Sequence, residues 1–383
     1  MKRAVLAFCL VLIAAAASST EFSYSTLVPK TAKSMAMGGV FTTVPSSEFS
    51  FFGNPAFFSE NKSSFALPTL SAWSYGRPSE GLDRFAETLS AYGGTDFVRR
   101  SFDIMSEGGS SGGGASAGLT LVGKGVGLGL FTTTDNYIKG SNYNEETVRS
   151  DTETTLILGL GFPSELGSAK LSIGGDIRPF YHVRLCDQNG DDPSLPLLLA
   201  EGSSNLYAEA FFGAALDLGA SLSFGSLSVG LTLRDLAPTY PVATEKLPKI
   251  QSSLGSGNMP DTSSSSLFAK LTPSISAGLS WAPGIAPGAV DPVFYLEAQD
   301  IVGVAFQWDG ASSFLELLHA GAELKLFKTL SLRGGLNRGR VSAGAGVKLF
   351  FLDLNAAIFT EELGALPGDD SRSGLALQAV IRL

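Results

Sequence analysis

Hydrophobic and polar positions alternate along most of this chain. Val341, Ala343, Ala345, Val347 and Leu349 share one parity, and Ser342, Gly344, Gly346 and Lys348 share the other. Leu375, Leu377, Ala379, Ile381 and Leu383 oppose Gly374, Ala376, Gln378, Val380 and Arg382, and Val229, Leu231 and Leu233 oppose Ser228, Gly230, Thr232 and Arg234. Leu330, Leu332, Gly334 and Leu336 likewise oppose Ser331, Arg333, Gly335 and Asn337. A period of two places alternate side chains on opposite faces of a β-strand. The pattern predicts about fourteen strands, near 64–74, 115–123, 125–135, 153–162, 168–184, 205–219, 222–235, 268–282, 291–302, 316–327, 329–336, 340–349, 351–361 and 373–383. Tight turns such as Lys328-Thr329 and Asn337-Arg338-Gly339 alternate with long polar connections. Such strands suit either a soluble sandwich or a transmembrane antiparallel β-barrel with an apolar outer wall and a small or polar lumen face.

Composition favours the barrel. Charged residues make up 16% of the chain, against about a quarter in soluble domains, beside 45 glycines and 26 phenylalanines. Lys2 and Arg3 precede an unbroken apolar run, Ala4 to Ala17, and small residues follow. That run is shorter than the roughly 20 residues of a membrane-spanning helix and reads as a secretory signal, residues 1–19. Cys9 lies inside the run rather than at the cleavage site, which argues against a lipid anchor. The formal net charge is −9, and loss of Lys2 and Arg3 with the signal makes it −11, which argues against nucleic acid as a partner. Cys186 alone remains, so no disulfide braces the exported chain. The expected location is the bacterial outer membrane, with the lipid bilayer as one partner.

Three segments break the alternation. Residues 79–105 read as a helical loop, with Leu82, Phe85, Ala86 and Leu89 at helical spacing. Residues 106–114 read as a flexible linker, and 236–267, rich in Pro, Ser and Gly, as a long external loop. The candidate chemistry is thin. Asp187 to Asp192 departs from a calcium loop in the placing of its glycine. Gly109 to Gly113 matches a nucleophile elbow only inside low-complexity sequence. The alternating glycines of Gly123 to Gly129 read as small lumen-facing positions that make room for something inside. His182 and His319, the only histidines, lie near strand ends, where a solvated rim residue is the ordinary reading. No catalytic residue, metal site or cofactor is expected. Arg178, Arg234, Glu323, Lys325, Arg333, Lys348 and Arg382 fall on lumen parity. They read as the polar filling of a barrel, with Arg178, Arg234, Lys325 and Arg333 as candidate contacts to a ligand.

One stretch carries more. In "FFGNPAFF", Phe51 to Phe58, a turn-forming Asn-Pro sits among four phenylalanines. With Met37-Gly38-Gly39-Val40 before it, the segment resembles the N-terminal region of the FadL-like outer-membrane transporters of long-chain fatty acids and other hydrophobic compounds. That region carries a small-residue stretch after the signal peptide, then Asn-Pro-Ala after an aromatic. Here Asn54-Pro55-Ala56 follows Phe52-Gly53. The C-terminal third looks like the closing strands of that family. The resemblance implies a fourteen-stranded barrel, residues 61–383, holding an N-terminal hatch, residues 20–60, in its lumen. It also implies passive uptake of a long-chain fatty acid or similar hydrophobic molecule, leaving sideways through a gap at a kinked strand. Gly38, Gly39, Asn54, Pro55 and Ala56 would form the hatch, and Phe51, Phe52, Phe57 and Phe58 would line the path. An alternative is a scaffold or surface-antigen barrel that binds other envelope proteins without transport.

Overall fold

The computed structural model describes residues 20–60, 64–76, 111–139, 147–201, 205–263, 265–306, 311–362 and 371–382. The signal segment and the helix expected at 79–105 lie outside them. Fourteen antiparallel strands close into a ring. They are β2 (Ser64–Tyr75), β3 (Ser111–Gly123), β4 (Val126–Lys139), β5 (Thr147–Leu166), β6 (Ala169–Cys186), β7 (Tyr207–Phe224) and β8 (Leu227–Leu236), then β12 (Ser274–Trp281), β13 (Val290–Ala298), β14 (Leu318–Leu326), β15 (Leu330–Asn337), β16 (Arg340–Leu349), β17 (Leu352–Glu362) and β18 (Ser371–Arg382). Each pairs with the next, and β18 returns to β2, Gly374 opposite Tyr75 and Val380 opposite Thr69. Closure leaves no free edge.

Alternation decides which face is which. Leu128, Leu158, Ile173, Leu231, Leu332, Val341 and Leu377 are exposed on the outside. Ser116, Asp176, Thr232, Ser342 and Gln378 are buried on the inside. An apolar wall around a polar interior is the architecture of an outer-membrane β-barrel. At one end the turns are short, at 124–125, 167–168, 225–226, 327–329 and 350–351. Phe162, Phe224, Trp281, Phe294, Phe327, Phe350 and Phe351 stand exposed there as an aromatic girdle. Strands β5, β6 and β7 run 20, 18 and 18 residues, beyond the roughly 9–11 that cross a bilayer. The outward positions of the β5 excess turn polar, at Thr154, Thr152 and Ser150, and Thr154 shares a hydrogen bond of 3.0 Å with Thr132 of β4.

Several expectations need correction. Residues 111–114 of the expected linker open β3. Glycine is needed there because a Cβ at Gly114 would lie 2.4 Å from the Trp73 ring. The loop at 236–267 is built. It forms β9 (Thr239–Pro241), β10 (Ala243–Lys246), which extends the sheet beside β7, and α4 (Leu247–Gly255), around buried Val242 and Ile250. The strand expected at 268–282 is two. β11 (Leu267–Leu271) pairs with β9 and with β1 (Thr20–Tyr24), and Pro273, which has no N–H to give a ladder, precedes the barrel strand β12. Short helices α5 (Ile301–Phe306) and α6 (Ala311–Leu317) take the ends assigned to the strands at 291–302 and 316–327.

Candidate functional site

Residues 20–60 lie against the inner faces of strands on all sides of the ring. Helix α1 (Ala32–Ala36) begins at Thr31, whose hydroxyl accepts from the Ser34 N–H at 3.2 Å. Its fully buried Ala32 and Ala36 pack near Trp73, Tyr75, Ala357 and Phe359. The chain then turns at Gly38 and Gly39, with φ of +69° and +79°. That left-handed geometry favours glycine, and a Cβ on Gly38 would lie 2.3 Å from the Leu336 carbonyl oxygen. Helix α2 (Ser47–Phe52) follows, then a 3-10 turn, Pro55–Phe58, capped by Asn54. The Asn54 amide oxygen accepts from the Ala56 N–H at 3.0 Å. Its Nδ2 donates to the carbonyls of Thr42, at 2.8 Å, and Ala220, at 3.0 Å. Phe51, Phe57 and Phe58 are buried, each burial stabilising by roughly 1.5–3 kcal/mol.

The wall is shaped to receive this segment. A Cβ at Gly127 or Gly159 would fall 2.1 or 2.0 Å from the Phe58 ring. At Gly174 it would strike Pro55, at Gly219 Asn54, at Gly230 Thr42, and at Gly335 the Gly38 nitrogen. The inward glycines of β4, expected to make room for something, make room for Phe51 and Phe58. Gly125 instead forms the turn before β4, with φ +84°.

Between this segment and the wall lies a cavity of ≈ 260 Å³. Phe41, Phe49 and Phe52 give it apolar walls, and Arg234, Gln299 and His319 border it as polar groups. Phe52, Pro29, Thr31 and Glu48 also border a narrow pocket that runs to Thr69, Ser71 and Ser116 on the inner face of β2 and β3. At that point β2 loses register with both neighbours, between Ala66 and Thr69. On the outer face small side chains, among them Ala72, Ala115, Ala117 and Ala379, leave an apolar depression of ≈ 840 Å³. Ser71 and Ser116 border both the inner pocket and this depression, so the two are one strand thickness apart.

Of the four charged candidates, only Arg234 borders the 260 Å³ cavity. Its Nη1 donates to the Phe52 carbonyl at 2.7 Å, and its Nε lies 3.4 Å from Asp217 Oδ2. Arg178 is fully buried between Asp217, with Nε 2.9 Å from Oδ2, and Asp235. Arg333 donates to Glu323 at 2.9 Å and Asn355 at 2.8 Å, and the exposed Lys325 pairs with Glu323 at 3.1 Å. Sequence reasoning missed Asp176, Asp217, Asp235 and Gln299. Asp176 stands two residues from Arg178 on the same parity, which was the available signal.

Both histidines are buried, against the expectation of solvated rim positions. The inserted segment covers them. His182 Nδ1 lies 3.0 Å from the Tyr24 hydroxyl and its Nε2 3.2 Å from Asp151. His319 Nδ1 lies 2.7 Å from the Gly38 carbonyl oxygen.

No family model matches the chain, and no curated protein matches it in sequence. Solved structures do match its shape. The CymD monoaromatic hydrocarbon channel is 11% identical over 94% of this chain and 98% of its own, with a TM-score of 0.49. The Ralstonia pickettii toluene transporter TbuX is 10% identical over 92% and 98%, at 0.48. A Pseudomonas aeruginosa FadL homologue is 12% identical over 94% and 99%, at 0.42. All three are channels or transporters, or a homologue of one, and the barrel described above rests on this chain's own strand register.

Proposed function

We propose that this protein is a passive outer-membrane channel for hydrophobic small molecules, the class that includes the long-chain fatty acids its N-terminal sequence suggests. Residues 20–60 act as the hatch. A ligand enters the aromatic cavity beside Phe41, Phe49 and Phe52, passes Phe52, and leaves sideways through the β2 wall into lipid. The observation that carries this reading is the shared border at Ser71 and Ser116 between the inner pocket and the apolar outer depression, beside the break in β2 register. Lateral release suits an apolar solute, because it never re-enters water on the way to the bilayer.

The test is flux into liposomes holding the folded protein, with a labelled fatty acid and a labelled arene. Ala117→Trp and Ala379→Trp fill the outer depression without touching the lumen. Flux should fall about tenfold or more while equilibrium binding in detergent stays within about twofold, the scale of a lost well-packed path. Unchanged flux in both variants would overturn lateral release. Absence of both flux and binding in the unaltered protein would overturn the channel reading.

A further inference from the structure

The outer face of the barrel changes character above the bilayer, and neighbouring strands differ in how. On β5 the outward positions beyond the apolar band are Thr154, Thr152 and Ser150. On β6 and β7 they are Tyr181, Val183 and Leu185, opposite Phe212, Ala210 and Ala208. Phe212 stands twelve positions above Phe224 of the girdle. At about 3.3 Å per residue and a tilt of about 45°, that is roughly 28 Å of height, close to the roughly 25 Å apolar band of such barrels. Ala210 and Ala208 therefore lie above the band, where an apolar face would meet water.

Helix α4 covers them. The Leu247 N–H donates to the Leu206 carbonyl at 2.8 Å, so the helix starts level with the top of β7. Ile250, buried, packs with Ala208 and Ala210, and Leu247, Tyr181, Val183 and Leu185 lie against the same cluster. The helix thus descends the outer face of β7 toward Phe212. Its apolar stripe runs on past the wall. Leu254 follows Leu247 and Ile250 at i, i+3 and i+7, and a rise of about 1.5 Å per residue carries it about 10 Å beyond Leu247. Leu254 is nonetheless 42% exposed. Gly257 and Asn258 donate at 2.9 Å to the carbonyls of Leu254 and Ser253 and fold the chain back on the last turn. Met259, 60% exposed, follows directly. The other face of the helix holds Lys249, paired with Glu245, and the exposed Gln251 and Ser252.

We propose that α4 is a membrane-surface helix. It lies on the outer leaflet of the bilayer with Leu254 and Met259 among lipid acyl chains and Lys249, Gln251 and Ser252 in water. Lipid is the occupant the geometry selects, because Leu254 continues a face that lipid already covers. Phe212, Leu216, Leu218 and Leu222 are exposed on that side of β7. A helix with one apolar and one polar face settles roughly 5–10 Å into the boundary between headgroups and acyl chains. This placement is independent of what the barrel transports.

The test uses nitroxide labels on Leu254→Cys, Met259→Cys and, as the polar-face control, Ser252→Cys, in chain folded into palmitoyl-oleoyl phosphatidylcholine vesicles. Native Cys186 is buried, and the signal of the unaltered chain treated alike is subtracted. Labels at positions 254 and 259 should collide with dissolved oxygen at least about threefold more often than with a water-soluble nickel chelate, and the ratio should invert at position 252, as a helix held at that boundary requires. Equal access of the chelate to all three positions would overturn the proposal. So would shielding from both reagents, which would mean protein on this face, a second copy of the chain if the shielding deepens with protein density. On the unaltered chain, a phosphatidylcholine carrying a diazirine in its acyl chain should leave adducts on the peptide that holds Leu254 and Met259 as well as on the wall strands. Adducts on the wall alone would overturn the proposal without any variant.

Discussion

At the scale of single residues, Asn54 ties the N-terminal segment to the wall. It is fully buried, and its three hydrogen bonds join the turn to Thr42 and, across the lumen surface, to Ala220. Asn54→Ala removes all three and should cost roughly 2–4 kcal/mol. Thermal melting should show the loss, while heat-modifiable migration on a gel persists because the ring itself is intact. Lys33 tests electrostatics in the same segment. Burial lowers its pKa from the usual 10.5, although Glu323 and Glu48 pull the other way. Its Nζ stands 5.2 Å over the Phe49 ring. Burial therefore outweighs the carboxylates, and the folded state binds this proton less tightly than the unfolded state. Stability of the unaltered protein should rise with pH between the lowered folded value and 10.5. Lys33→Met should raise the melting temperature at neutral pH, and its advantage should shrink as pH climbs through that window. A constant difference at all pH values would show that Lys33 acts through packing instead.

At the scale of elements, the interior is a fit between strands without side chains and a segment dense in them. Gly159→Ala on β5 would place a Cβ 2.0 Å from the Phe58 ring, and overpacking of this kind costs typically 1–3 kcal/mol. Phe58→Leu in the same chain should recover part of the loss, and the non-additivity in a double-mutant cycle measures the contact. Much of this was legible in advance. Alternation alone located the barrel strands within a few residues, because lipid on one side and a filled lumen on the other enforce opposite demands at successive positions. The inward glycines of β4 also announced an occupant. The region at 236–267 was not legible, because β10 is ordered by pairing with β7 and β9 by pairing with β11, which itself pairs with β1 far away in sequence, and neither shows a period of its own. The histidines were misjudged for a related reason. Parity says which way a side chain faces, but not what comes to lie over it.

At the scale of the whole molecule, closure and filling depend on each other. The ring is sealed by β18 on β2, with residues 20–60 already against its inner faces. A chain ending at Glu362 would lack β18 and expose the edges of β17 and β2. It should give no heat-modifiable form, and a resistant band on the gel would show that the remaining strands close without it. The seam also fixes an order of events. The segment that fills the barrel is made first and the strand that shuts it last. The slowest step of folding should thus be a single long-range encounter between strands some three hundred residues apart, the kind of contact that makes high-contact-order topologies fold slowly. Until that encounter, the phenylalanines of the N-terminal segment have no finished wall around them, and they are the part of the chain that an assembly chaperone would need to shield.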